Sequence, residues 1–154
     1  MVILIVMFMI MDIICKLLAK RYLVLEKSII IIKNFFSLNY AKNTGAAWSI
    51  LSDNAVVVSI IASLIIAGLI YYLWKNKPNN KYEKLCYALI LAGAMGNLLC
   101  RIIYGYVIDY ISITIFGYNW PIFNLADIFI VLGVLGLIVY TWRVDLSDTR
   151  SNRK

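Results

Sequence analysis

The sequence predicts an all-α polytopic membrane protein, with four transmembrane helices and a small extracytoplasmic sheet. Three observations predict it. Of 154 residues, 63% are hydrophobic and the mean hydropathy is +0.85, whereas a soluble domain is about 45–50% apolar on a similar count that adds Gly and leaves out Tyr. Four runs reach the roughly 20 residues a bilayer crossing needs. Between the first two runs lies a stretch too polar to cross, and part of it is rich in isoleucine and phenylalanine.

The first run extends from Met1 to about Ala19. It lacks a basic leader and a small-x-small cleavage site, and Asp12 and Lys16 interrupt it, so it reads as a retained span rather than a removable signal. The stretch from about 20 to 54 follows. Within it Ser28 to Tyr40 suits short strands, and Asn43-Thr44-Gly45 is a turn signal. The second span is about 55–74, the third about 85–104 and the fourth about 121–142, with Pro121 in the first helical turn, where its missing N–H is not needed. Trp74, Tyr104, Trp120 and Trp142 fall at span ends, as interfacial aromatics do. Residues 1–144 form one membrane domain, and 145–154 a short polar cytoplasmic tail.

Cations set the orientation. Lys75, Lys77, Lys81 and Lys84 occupy the hairpin between spans two and three, and Arg143, Arg150, Arg153 and Lys154 the tail. Four spans put these clusters on one side, which the positive-inside rule makes cytoplasmic. Lys20, Arg21, Lys27, Lys33 and Lys42 oppose this from the other side, and the balance favours the cytoplasmic hairpin.

Composition also excludes. The net charge is +7, yet only 15% of residues are charged and the cations sit mainly between hydrophobic runs, which fits anionic lipid and topology and not nucleic acid. There is no histidine, so Ser-His-Asp and Cys-His catalysis are out and a zinc site is improbable. Cys15, Cys86 and Cys100 lie in apolar stretches without CxxC spacing and read as buried free thiols.

Against this background the polar residues stand out. A carboxylate near hydrocarbon costs roughly 2.5–3.5 kcal/mol on insertion scales, so a retained one has a use. Asp109 follows Gly105-Tyr106-Val107-Ile108, and Asp127 opens the fourth hydrophobic run. Brought together, two such carboxylates make the acid/base pair of an aspartyl protease. Asp12 and Lys16 are four apart and can pair on one helix face, as structural lock or as support for a site. Asn97 and Arg101 share that spacing at the end of span three, and Asp109 is the acidic partner nearest downstream of Arg101. Asn97, Arg101, Asp109, Asn124 and Asp127 collect at one membrane face. A transporter using a carboxylate relay would spread them through the bilayer depth, and a purely structural subunit would not need two aspartates beside Asn and Arg.

Asp12-x-x-x-Lys16, Asn43-x-Gly45-Ala46-Ala47-x-Ser49, Gly96-Asn97-x-x-x-Arg101, Gly105-x-Val107-x-Asp109 and Phe123-Asn124-x-Ala126-Asp127 resemble, in order, the motifs of lipoprotein signal peptidases (signal peptidase II). The resemblance implies a bacterial inner-membrane aspartyl protease with an extracytoplasmic β-cradle over about 20–54, cutting diacylglyceryl-modified prolipoproteins before the lipidated cysteine. It implies Asp109 and Asp127 as the catalytic pair. Asn43, Gly45, Asn97, Arg101 and Asn124 would be the polar surround, and Asp12 and Lys16 the supporting pair. No metal or cofactor is implied; the partners are lipidated substrate and membrane lipid, and the enzyme is a monomer. Two positions depart: the family usually has Asp where this chain has Cys100, and Gln where it has Ile13.

Overall fold

The computed structural model describes residues 1–23, 28–45 and 54–151, with side chains through Val144. Ala46, Ala47 and Ser49 of the second motif, Lys27, Arg153 and Lys154 lie outside the described residues, as do the side chains of residues 145–151. The elements are α1 (Val2–Tyr22), β1 (Ile29–Ile32), β2 (Phe36–Asn43), α2 (Ala55–Asn76), α3 (Lys81–Tyr104), β3 (Val107–Ile115), β4 (Tyr118–Asn119) and α4 (Leu125–Ser151). All four helices are long and apolar enough to cross a membrane.

Half of the α3 span is buried, against 17% of each of the others, so α3 is the central helix. It packs on α4, α1 and α2. Small residues allow the closest approach. A Cβ on Gly93 would collide with the Ala126 carbonyl oxygen and lie 2.8 Å from Ile130 Cγ1. Without hydrophobic drive between helices in lipid, such close contact is what holds a bundle. Gly93→Leu is therefore expected to destabilise the folded state by about 3 kcal/mol, the upper end for overpacking. Reversible unfolding in mixed micelles measures this; an unchanged midpoint would show that α3 and α4 do not meet here.

The serine hydroxyls within α2 are satisfied locally, Ser59 donating to the Ala55 carbonyl (2.6 Å) and Ser63 to that of Ser59 (2.8 Å). Neither is exposed unpaired to hydrocarbon.

The sheet is antiparallel, in the order β1-β2-β3-β4. The strand-rich reading of 28–40 holds, but that segment supplies only half of the sheet. The other half comes from 107–119, outside the stretch of about 20–54 expected to form the cradle. Gly105, at φ +76°, ends α3 by donating to the Arg101 carbonyl (2.8 Å) and turns the chain directly into β3. Val107, Ile108, Ile111, Ile113, Thr114 and Ile115 are β-branched and suit a strand.

The fourth helix begins at Leu125, not at Pro121. Phe123 is bonded to β3, its N–H donating to the Ile111 carbonyl (3.0 Å) and its carbonyl accepting from the Ile111 and Tyr110 N–H groups. The stretch through Pro121 thus runs alongside the sheet before the helix starts. At its far end α4 continues to Ser151, past the end expected near Trp142. The helices α1 and α2 also run slightly past their expected ends, and α3 starts four residues early. There Asn80 accepts from the Tyr82 N–H (2.7 Å) as an N-cap.

Candidate active site

The C-terminal end of α3, the start of α4, the middle of α1 and the β2–β3 ladder converge at the sheet end of the bundle. Five polar residues are buried there: Asp12 and Asn124 at 0% exposure, Asp109 at 2%, Lys16 at 3% and Asn97 at 8%. Buried polar groups at that density must be mutually satisfied, and these are.

Start with α4. Asn124 is its N-cap: its Oδ1 accepts from the Asp127 N–H (3.1 Å), and Asp127 Oδ2 accepts in return from the Asn124 N–H (3.1 Å). This reciprocal pair is a capping box with Asp at the third position. The Ala126 N–H donates across the bundle to Asp12 Oδ1 (3.1 Å). Gly96 leaves the space for that carboxylate, since a Cβ there would sit 2.5 Å from Asp12 Oδ2. The orphan amides of the helix start are thus met by side chains from α1 and from the cap.

Asp109 arrives from β3, where it stands opposite Ala41. Asn43, two residues on from Ala41, therefore shares its face, and Asn43 Nδ2 donates to Asp109 Oδ2 (2.9 Å). A one-residue bulge sets this up. The register runs Leu38↔Ile111 and then Ala41↔Asp109; an unbulged ladder would have placed Tyr40 opposite Asp109 and Lys42 on its face instead of Asn43. Asn43 Oδ1 accepts from the Gly45 N–H (3.0 Å), closing the predicted turn.

Asn124 joins the two carboxylates. Its Nδ2 donates to Asp109 Oδ1 (2.6 Å) and to Asn97 Oδ1 (3.1 Å), while Asn97 Nδ2 donates to Asp127 Oδ1 (2.8 Å). Behind Asn97, Lys16 donates to its Oδ1 and to Asp12 Oδ2, both at 2.7 Å. The Asp12–Lys16 pair is present as the spacing predicts. It is the one ion pair among the described residues.

Arg101 differs from expectation. It forms no ion pair with Asp109; its terminal nitrogen donates to the Gly45 carbonyl (2.7 Å), and its buried Nε has no partner among the described residues. It ties the end of β2 to α3 and borders the site, within electrostatic reach of both aspartates but paired with neither. Cys100, where the family usually carries Asp, is buried in the apolar cluster behind the site with Ile108 and Tyr110.

Burial pushes the Asp109 carboxyl up to about 6, and the negative charge of Asp127 adds to the rise. The amides of Asn43 and Asn124 and the charge of Lys16 act in the opposite direction. Both carboxylates face a cavity of about 760 Å³, together with Asn43, Gly45, Asn97 and Arg101. Its remaining wall is largely apolar, including Trp120, Ile122, Phe123 and, along α4, Val131 and Leu132. The sequence marks Trp120 as an interfacial aromatic and Phe123 as a motif position, whereas Ile122, Val131 and Leu132 are indistinguishable there from the rest of the span. Val131 and Leu132 are also about half exposed on the outer face of the bundle, so the cavity reaches the lipid-facing surface. No cluster of metal-ligating side chains occurs among the described residues.

Such an arrangement places two carboxyl groups, with different surroundings, against one apolar-walled space open to the bilayer. It is fit for acid/base chemistry on a membrane-embedded substrate. A family model described as signal peptidase II matches residues 4–143. The chain is 41% identical over 143 residues to a lipoprotein signal peptidase of Clostridium novyi, covering 92% of this chain and 97% of that one. To that of Clostridium tetani it is 39% identical over 150 residues, covering 97% and 96%. A solved bacterial membrane enzyme superposes with a TM-score of 0.85 at 34% identity, covering 99% of this chain and 90% of that one.

Proposed function

We infer the chemistry from one premise: this chain belongs to the signal peptidase II family. It is a membrane aspartic endopeptidase. We read Asp109 and Asp127 as its catalytic pair and the prolipoprotein, cut before its diacylglyceryl-modified cysteine, as its substrate. The observation that carries this reading is Asn124, whose side chain donates to the Asp109 carboxylate and whose main-chain N–H donates to that of Asp127, with both carboxylates lining a single cavity. The ionised carboxylate takes a proton from water as that water attacks the scissile carbonyl, and the protonated partner donates to the carbonyl oxygen. Asn43, Gly45, Asn97, Arg101 and Asn124 surround the pair and fix its geometry. Asp12 and Lys16 support it from α1. The apolar wall along α4 takes the lipid and the hydrophobic part of the signal peptide.

All nine residues come from one chain, which supports action as a monomer. The sheet and the carboxylates share one end of the bundle, and the lysines of the α2–α3 hairpin lie at the other. The positive-inside rule then supports a cytoplasmic-membrane enzyme with its site near the extracytoplasmic surface and residues 145–154 cytoplasmic. A carboxylate-relay transporter is not favoured: the buried polar side chains form one connected network at the sheet end rather than a path through the bilayer.

The test is cleavage of a diacylglyceryl-modified prolipoprotein by the purified protein in nanodiscs, followed across pH. The Asp109 proton is held below, and lost through, about pH 6 in the folded protein. If Asp109 is the acid, kcat/KM falls as pH rises past about 6, by about tenfold per unit. Substrate filling the cavity excludes water and further disfavours the ion, so the alkaline limb of kcat lies at higher pH. A flat kcat/KM profile from pH 5 to 9 would remove Asp109 from that role.

A further inference from the structure

Each amide that touches the two carboxylates has its orientation set by a second contact. An amide oxygen and nitrogen have the same shape, so only the partners decide which faces which way. Asn43 is held by the Gly45 N–H on its Oδ1, and Asn124 by the Asp127 N–H on its Oδ1. Both locks are main-chain groups. Asn97 differs: the strongest donor on its Oδ1 is the Lys16 ammonium at 2.7 Å, with the shared Asn124 Nδ2 further off at 3.1 Å. An ammonium has three donors and no acceptor, so a reversed amide would set N–H against N–H there. Lys16 is in turn fixed by Asp12, whose other oxygen caps α4.

We propose that Lys16 is a positioning residue acting through Asn97: it turns the amide so that Nδ2 is delivered to Asp127 and favours the ion there. This rests on the catalytic pair proposed above. An N–H facing a carboxylate favours the ion; a carbonyl in the same place accepts from the acid and favours the neutral form. Lys16 thus fixes which end of that amide Asp127 meets. The titratable and charged groups facing the pair are Asp12 and Lys16 from α1 and Arg101 from α3; Cys100 lies behind it, and Lys42 of β2 sits over the Tyr106 ring. Of these, only Lys16 bonds an amide that touches either carboxylate.

The test replaces the buried pair as a unit, Lys16→Met with Asp12→Asn, so that no lone carboxylate is left behind and the Ala126 cap keeps an acceptor. With the full-length enzyme in nanodiscs and a diacylglyceryl-modified prolipoprotein as substrate, the acidic limb of kcat/KM moves up by about one pH unit, a tenfold loss at low pH. Asn97→Leu gives the same shift, and the combination adds nothing to it. A uniform fall in kcat/KM with an unmoved limb would show a merely structural role and overturn the proposal. Additive shifts would overturn it too, because Lys16 would then act by its charge across space. If the pair variant does not fold, Asn97→Asp keeps the shape and the Lys16 contact but removes the N–H; an unmoved acidic limb in that variant also sinks the idea. Failure of the catalytic pair itself would read out separately, as activity retained in Asp109→Asn or Asp127→Asn.

Discussion

Asp109→Asn and Asp127→Asn each lower kcat/KM by about 10⁴-fold or more, the range for removing a positioned acid or base from a pair that works as a unit. Membrane insertion is unchanged in both, since replacing a carboxylate by its neutral amide makes no segment less apolar. Stability is not untouched, and the geometry says why. Asp109 accepts N–H groups on both oxygens, from Asn43 and from Asn124. An amide at 109 must turn its own NH2 toward one of them, and neither can reverse because main-chain N–H groups hold their oxygens. Asp127→Asn meets the same conflict with Asn97 or with the Asn124 N–H. A donor set against a donor in a buried site costs about 1–3 kcal/mol. The cleavage assay is therefore paired with thermal unfolding at the assay temperature. A folded variant of either kind that retains a tenth of wild-type turnover would exclude that aspartate from the chemistry.

How much of this was legible beforehand depends on the residue. The spans were, because hydropathy reports directly on burial in lipid and nothing in the tertiary structure has to be known. The polar network was legible as a set for the complementary reason: in a chain this apolar, each retained Asp, Asn and Lys stands out. Their connections were not. Asp109, a few residues downstream of Arg101, suggested an ion pair, yet the Asn43–Gly45 side-chain turn brings the Gly45 carbonyl to Arg101 first. The face on which Asn43 meets Asp109 depends on a one-residue bulge between Leu38 and Ala41, and no periodicity announces a bulge. The β3 strand did carry a signal, a β-branched run of alternate faces, but apolar composition on both sides masked it. Pro121 drew the start of α4 four residues too early. The stronger signal was Asn124-x-x-Asp127, a cap and its third-position acid, which marks a helix start with a physical mechanism rather than a tolerance.

That double use of Asn124 makes it the second most consequential position. Its oxygen caps α4 while its nitrogen bonds Asp109 and Asn97. Asn124→Ala removes all three contacts, leaves the Asp127 N–H without its acceptor, and frees Asp109 from a donor that stabilises its ion. Loss of the cap alone is about 1 kcal/mol, with a further 1–3 kcal/mol for the stranded buried group. Turnover falls by about 10²–10³-fold, as when one preorganised hydrogen-bond donor is removed from an active site. The alkaline limb of the surviving activity moves upward, because Asp109 holds its proton more tightly. Asn124→Ser separates the roles. Serine caps a helix about as well as asparagine does, so stability loses less, but it carries no N–H for Asp109 Oδ1 or the Asn97 oxygen. Activity should fall at least as far as in the alanine variant while the unfolding midpoint recovers toward wild type. If both properties instead fell together in the two variants, Asn124 would be a helix cap that happens to lie beside the aspartates, and the bridge between them would have to be sought in Asn97.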